Sequence, residues 1–113
     1  MTKSVVFSVE DDEKKRKILE YYRQFMEQQN AQDQSYNSLA EFKESQHYQD
    51  LPEEEKENLK QYEGKDVIVL VFETPEQAIE FIRQIQKKGL ISEEQAEDIV
   101  TSLQELEPYR PGM

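Results

Sequence analysis

Carboxylates are the side chains this chain has in excess, and their spacing poses the first question about its chemistry. Residues 41–64 carry eight of them against three lysines, a net of −5. Glu53, Glu54, Glu55 and Glu57 form the densest part of that run. A second set, Glu93, Glu94, Glu97 and Asp98, opens the last apolar-periodic segment, and residues 91–109 contain no basic residue. Acids repeated at helical spacing make a negative surface that attracts a basic partner. Paired carboxylates can also serve hydrolysis, but here they occur throughout the chain and no one pair is diagnostic. The rest of the inventory is poor in catalytic groups. There is no cysteine, hence no thiolate nucleophile, disulfide or cysteine-based zinc site. His47 is the single histidine, so no histidine pair can form. Gly64, Gly89 and Gly112 are too scattered for a phosphate-cradling loop, and the serines fall at helix starts and in loops rather than in a nucleophile elbow. The expectation is a binding protein, not an enzyme, with no cofactor and no metal.

Two further patterns bear on that expectation. Asp33, Ser35, Asn37, Glu41 and Glu44 fall at positions one, three, five, nine and twelve of a spacing that resembles an EF-hand calcium loop. Ser38 stands where that loop wants a glycine for its sharp turn, and Ala40 stands where it wants a larger apolar residue. The same residues are accounted for by a polar loop followed by a Ser38/Glu41 capping box. Lys14, Lys15, Arg16 and Lys17 form a basic run, read as a solvated helix face in which Glu13 and Lys17 have the favourable i, i+4 spacing.

The whole chain of 113 residues has 25 acidic and 14 basic side chains, a formal net charge of −11. That charge repels nucleic acid and anionic membrane surfaces and suits a protein with a basic face. Mean hydropathy is −0.96, so the core must be economical, yet the apolar residues are patterned rather than scattered, as a folded chain requires. No apolar stretch approaches the roughly 20 residues of a membrane helix, and the run at residues 1–7 is too short for a secretory signal; a cytoplasmic location is expected. The function expected is that of a small acidic adaptor or inhibitor binding through the carboxylates at 53–57 and 93–98. The alternative is a nucleic-acid mimic that blocks a basic DNA- or RNA-binding protein.

The elements that must position these acids are organised around Val67-Ile68-Val69-Leu70-Val71-Phe72, a continuous apolar run that reads as a strand covered on both faces. Thr74, Pro75 and Gln77 then open a helix with Ala78, Phe81, Ile82 and Ile85 on one stripe and Gly89 as its stop. Residues 4–9 alternate, with Val5, Phe7 and Val9 on one face, as a half-buried edge strand does. A helix follows, capped by Ser8 or Asp11, with Ile18, Leu19, Tyr22, Phe25 and Met26 inward. Residues 30–37 lack periodicity and read as a loop. Ser38 opens a helix that turns Leu39 and Phe42 inward and runs toward Tyr48; Leu51-Pro52 breaks it, and Pro52 starts a short helix with Leu59 and Tyr62 as contacts and Gly64 as its end. Ser92 and Gln95 form the capping box of the last helix, with Ile91 and Ala96 as a staple and Ala96, Ile99, Val100, Leu103 and Leu106 as its stripe, ended by Pro108 and Pro111.

The expected fold is a helix-rich α+β single domain over residues 1–113, in the order β-α-α-α-β-α-α, with a small sheet covered by helices and a loose tail at 108–113. With only two strands evident, the central one keeps a free apolar edge, which predicts a homodimer formed by pairing that edge.

Overall fold

The run at 67–72 does form a strand, and none of its six residues is exposed. In the computed structural model, which describes residues 2–105, the order is β1 (Lys3–Ser8), α1 (Asp12–Gln28), β2 (Ser35–Tyr36), α2 (Leu39–Lys43), α3 (Gln46–Gln49), α4 (Glu53–Asn58), a 3₁₀ turn (Leu59–Tyr62), β3 (Val67–Phe72), α5 (Pro75–Lys87) and α6 (Glu93–Glu105). This is the expected α+β class. The sheet is antiparallel with spatial order β1-β3-β2.

Side-chain alternation across the sheet separates two cores. Ile68, Leu70 and Phe72 join Val5, Phe7 and Val9 on one face, under α1, α5 and α6. Val67, Val69 and Val71 join Tyr36 on the other, under Leu39 and Phe42 of α2 and Leu59 of the 3₁₀ turn. The first core is built on aromatic rings. Phe81 lies within 5.5–6.4 Å, centroid to centroid, of Phe7, Tyr22, Phe25 and Phe72. Edge-on and tilted packing of this kind adds to the stabilisation from burial alone.

Local signals set most helix ends. Asp11, not Ser8, caps α1 by accepting from the N–H groups of Glu13 and Lys14. The Thr74 hydroxyl accepts from the Gln77 N–H at 3.1 Å, and the Gln77 side chain accepts in return from the Glu73 N–H at 2.9 Å. Gly89, at φ +78°, closes α5 with two bonds, Gly89 N–H to Gln86 and Leu90 N–H to Ile85. Asn30, at φ 54°, does the same for α1, where it is the one non-glycine residue with positive φ among the described residues.

Four expectations are corrected. The segment 30–37 is not all loop, since Ser35 and Tyr36 pair with Leu70 and Val69 as β2. Two residues are too few to show alternation, so no pattern marked them. The helix expected from Ser38 toward Tyr48 is two helices. The Ser45 hydroxyl donates to the Phe42 carbonyl at 2.6 Å and accepts from the Tyr48 N–H at 3.2 Å, ending α2 and capping α3 at one residue. Pro52 is the N-cap of α4 and not its first helical residue, and it supplies no side-chain cap. The second edge of the central strand is not bare: β1 pairs with all six residues on one side, and on the other β2 pairs with Leu70 and Val69 while the Gln34 carbonyl takes the Val71 N–H, so the free edge from which a dimer was expected is covered at its middle. Leu106, Pro108, Pro111 and the tail at 108–113 lie outside the described residues.

Tyr22 ties the second edge shut. Gln34 extends the β2 register and faces Val71, but only one of the two ladder bonds forms directly, from the Val71 N–H to the Gln34 carbonyl at 3.0 Å. The Tyr22 hydroxyl completes the other. It accepts from the Gln34 N–H at 2.8 Å and donates to the Val71 carbonyl at 2.6 Å. Burial pushes the phenol up to about 12.

Two stability predictions follow from this packing. Phe81→Ala should cost about 3–5 kcal/mol in urea melts through the cavity it leaves, and Glu80→Ala, on the exposed face of α5, should stay within about ±0.5 kcal/mol. Tyr22→Phe should cost about 1–3 kcal/mol at neutral pH, because it leaves the Gln34 N–H and the Val71 carbonyl without their bridge. The Tyr22 phenol is raised in the folded state, so its protonated form stabilises the fold fully below the ordinary phenol value near 10. That contribution disappears as pH rises from about 10 to about 12, where the unfolded chain ionises first. The wild-type advantage over Tyr22→Phe should therefore shrink across that window; an advantage constant to pH 12 contradicts the assignment.

Candidate functional site: a groove along the open sheet edge

β1 pairs with β3 along its whole length, and its own outer side forms a six-residue edge of the sheet. Its direction follows from the hydrogen-bond alternation of an antiparallel pair. The Val9 N–H donates to the Asp66 carbonyl at 3.2 Å, and the Val71 N–H points to β2, so the odd residues of β1 bond to β3. Ser4, Val6 and Ser8 therefore direct their amides and carbonyls outward. Gln95 Nε2 donates to the outward Ser8 carbonyl at 3.0 Å. Among the described residues, no hydrogen bond occupies the outward groups of Ser4 or Val6.

This bare stretch forms part of a groove of about 190 Å³. One bank comes from α4 and the 3₁₀ turn, with Glu55, Asn58, Gln61 and Tyr62. The other comes from α6, with Asp98, Ile99 and Ser102. The half-buried Val6, Leu51, Tyr62 and Ile99 give it apolar walls. Its charged lining, among the described residues, is Glu55 and Asp98, with no lysine, arginine or histidine. Burial, helped by the Asp98 charge, pushes the Tyr62 phenol up, which keeps it a neutral hydrogen-bond donor.

Two of the eight acids expected at a binding site meet here. Glu55 and Asp98, 43 positions apart in sequence, stand on opposite banks of one groove. The other six lie elsewhere. Glu53 and Glu57 pair with Lys56 at 3.7 Å and Lys60 at 3.1 Å along α4, and Glu97 pairs with Arg83 of α5 at 2.8 Å. Glu54, Glu93 and Glu94 are exposed. Ion pairs at such exposed positions contribute little to stability. Sequence reasoning missed Ser4, Val6, Tyr62 and Ile99 as site residues. The one signal available was Val6, an apolar residue on the polar side of an alternating strand.

Other candidates resolve into structural roles. Gln95 turns its side chain to Ser8, so the expected Ser92/Gln95 capping box closes only on one side, with the Gln95 N–H donating to the Ser92 hydroxyl at 3.0 Å. His47 Nδ1 lies 3.1 Å from the Tyr36 hydroxyl. Lys17 pairs with Glu13 at 3.4 Å on the exposed face of α1. In the calcium-loop-like segment, Ser35 is part of β2, and Ser38 has an extended backbone, φ −157°, and caps α2. No group of three or more histidine or acidic residues that could hold a metal ion occurs among the described residues.

Comparison with protein-family models, with curated proteins and with solved structures finds no match to this chain.

Calcium titration calorimetry should show no micromolar site, because Ser38 is held extended where a calcium loop must turn sharply. A micromolar site abolished by Glu44→Gln would contradict this.

Proposed function

We propose that this chain is a small acidic protein-binding module, an adaptor or inhibitor, that takes a basic segment of another protein into the groove between α4 and α6. The observation that supports this reading most is the convergence of two acidic helices on one groove. Its walls are apolar, its charged lining is carboxylate, and its floor holds unpaired main-chain groups. Apolar walls supply burial, and carboxylates on the banks select for lysine or arginine and speed encounter. Lysine and arginine suit such a site, since their stems lie along apolar surface while their heads reach the carboxylates.

A nucleic-acid mimic asks for a run of free carboxylates. Glu53, Glu57 and Glu97 are instead drawn into ion pairs with cations of the same chain, which favours the groove over the mimic. Among the described residues, no helix is long and apolar enough to cross a membrane.

Quantitative affinity capture from the source cell should recover a basic protein with the wild-type chain and lose it by about tenfold or more with Glu55→Lys/Asp98→Lys. A control of equal charge change, Glu20→Lys/Glu94→Lys, lies away from the groove and should retain it. Equal loss with both pairs would mean that net charge, not the groove, recruits the partner.

A further inference from the structure

We propose that the partner segment enters the groove as a fourth β-strand, paired through its main chain with the outer edge of β1; this rests on the groove being the partner site. The reason lies in what β1 leaves undone. A strand edge with bare amides and carbonyls is a template for another strand, and folded chains usually blunt such edges with inward charges, proline, bulges or cover. Over Lys3–Ser8 there is no proline and no acidic residue, and the single charged side chain is Lys3, at the end. The six residues keep unbroken register with β3 from Lys3↔Phe72 to Ser8↔Val67, so there is no bulge. The cover is partial. Gln95 closes the edge at the Ser8 carbonyl, while no hydrogen bond among the described residues occupies the outward groups of Ser4 and Val6 at the groove.

The groove also specifies the chemistry of the added strand. Side chains of a fourth strand would alternate between the two faces of the sheet. Those opposite Ser4 and Val6 would meet the bank of Leu59, Tyr62 and Glu55, and those opposite Val5 would meet Ile99, Ser102 and Asp98. Each bank thus offers apolar surface and one carboxylate, which suits an extended segment that mixes β-branched and basic residues. Main-chain bonds would give affinity, and the two banks selectivity, as in other strand-addition complexes. Charge decides against a second copy as the occupant. The chain is −11 overall, and two such grooves brought edge to edge would set carboxylates against carboxylates.

The test uses the full chain and a blocked peptide of repeating Lys-Lys-Val-Val, which presents both residue types on each face of a strand, followed by amide hydrogen exchange. In the free protein the amides of Ser4 and Val6 should exchange quickly, and those of Val5 and Phe7, bonded to β3, slowly. Saturating peptide should slow Ser4 and Val6 by about tenfold or more while leaving Val5 and Phe7 unchanged. A control peptide of repeating Glu-Glu-Val-Val should not bind. N-methylation on one alternate set of peptide amides should abolish binding, and on the other set should be tolerated, because only one set faces β1. Binding that is weakened by Glu55→Lys/Asp98→Lys yet leaves Ser4 and Val6 unprotected would overturn strand addition and leave the groove as the partner site. Absence of binding even at low salt would overturn both. Protection of the same amides in the free protein, rising with concentration alongside a doubled mass by light scattering, would give the edge to a second copy and also overturn the proposal.

Discussion

A strand whose six consecutive residues are all buried imposes a demand that two-layer packing cannot meet. Val67–Phe72 presents apolar side chains to both faces of its sheet, so each face must carry helices and each edge must carry a strand. In a chain that is 35% charged there is little apolar material for this. The solution is three layers, with α1, α5 and α6 on one face and α2 and the 3₁₀ turn on the other. The thinner layer is built from a handful of side chains, among them Tyr36, Leu39, Phe42 and Leu59. Short helices joined by Ser45 and Pro52 serve it because they wrap a small surface without needing long apolar stripes of their own.

The second edge of the strand is closed by an economy of the same kind. A two-residue β2 is a weak partner by itself, since it offers few ladder bonds against the ordering entropy of the segment that carries it. The Tyr22 hydroxyl supplies one of the missing connections from α1, with its ring buried among Phe72 and Phe81. One side chain thus fastens the first helix, the second strand and the third strand together. Its raised pKa expresses the same fact, because burial that suits a neutral phenol opposes its ionised form.

The sheet ends at the two-residue β2 on one side and at β1 on the other, and β1 is the longer edge. The helices that cover the two faces do not meet over that edge. They leave a groove between α4 and α6, and the carboxylates of Glu55 and Asp98 come to its banks because α6 packs on one face of the sheet while α4 leads into the 3₁₀ turn that packs on the other. The proposed binding role therefore arises from the same packing problem as the fold. Acids beside the outer edge of β1 also set like charges against one another wherever two copies would pair along it.

Local physics was legible in the sequence. The caps at Thr74 and Ser38, the glycine stop at Gly89, the central strand and the stripes of α1 and α5 were all readable, because each depends on neighbours within a turn or two of chain. The alternation at 4–9 also marked β1 as an edge strand. What escaped depends on distant contacts. β2 exists because β3 needs a second partner, and nothing in Ser35–Tyr36 says so. Ser45 is a local exception: its hydroxyl ends α2 and caps α3, and a lone serine does not announce that. Gln95 has the sequence of a capping residue but spends its side chain on Ser8, 87 positions away. The two acidic runs were plain from composition, whereas their meeting at one groove was not. Composition determined that the surface would be negative and that no cysteine chemistry and no histidine pair could occur. Only the tertiary structure decided which carboxylates share a site, because that follows from how helices pack over a sheet and not from the spacing of acids along the chain.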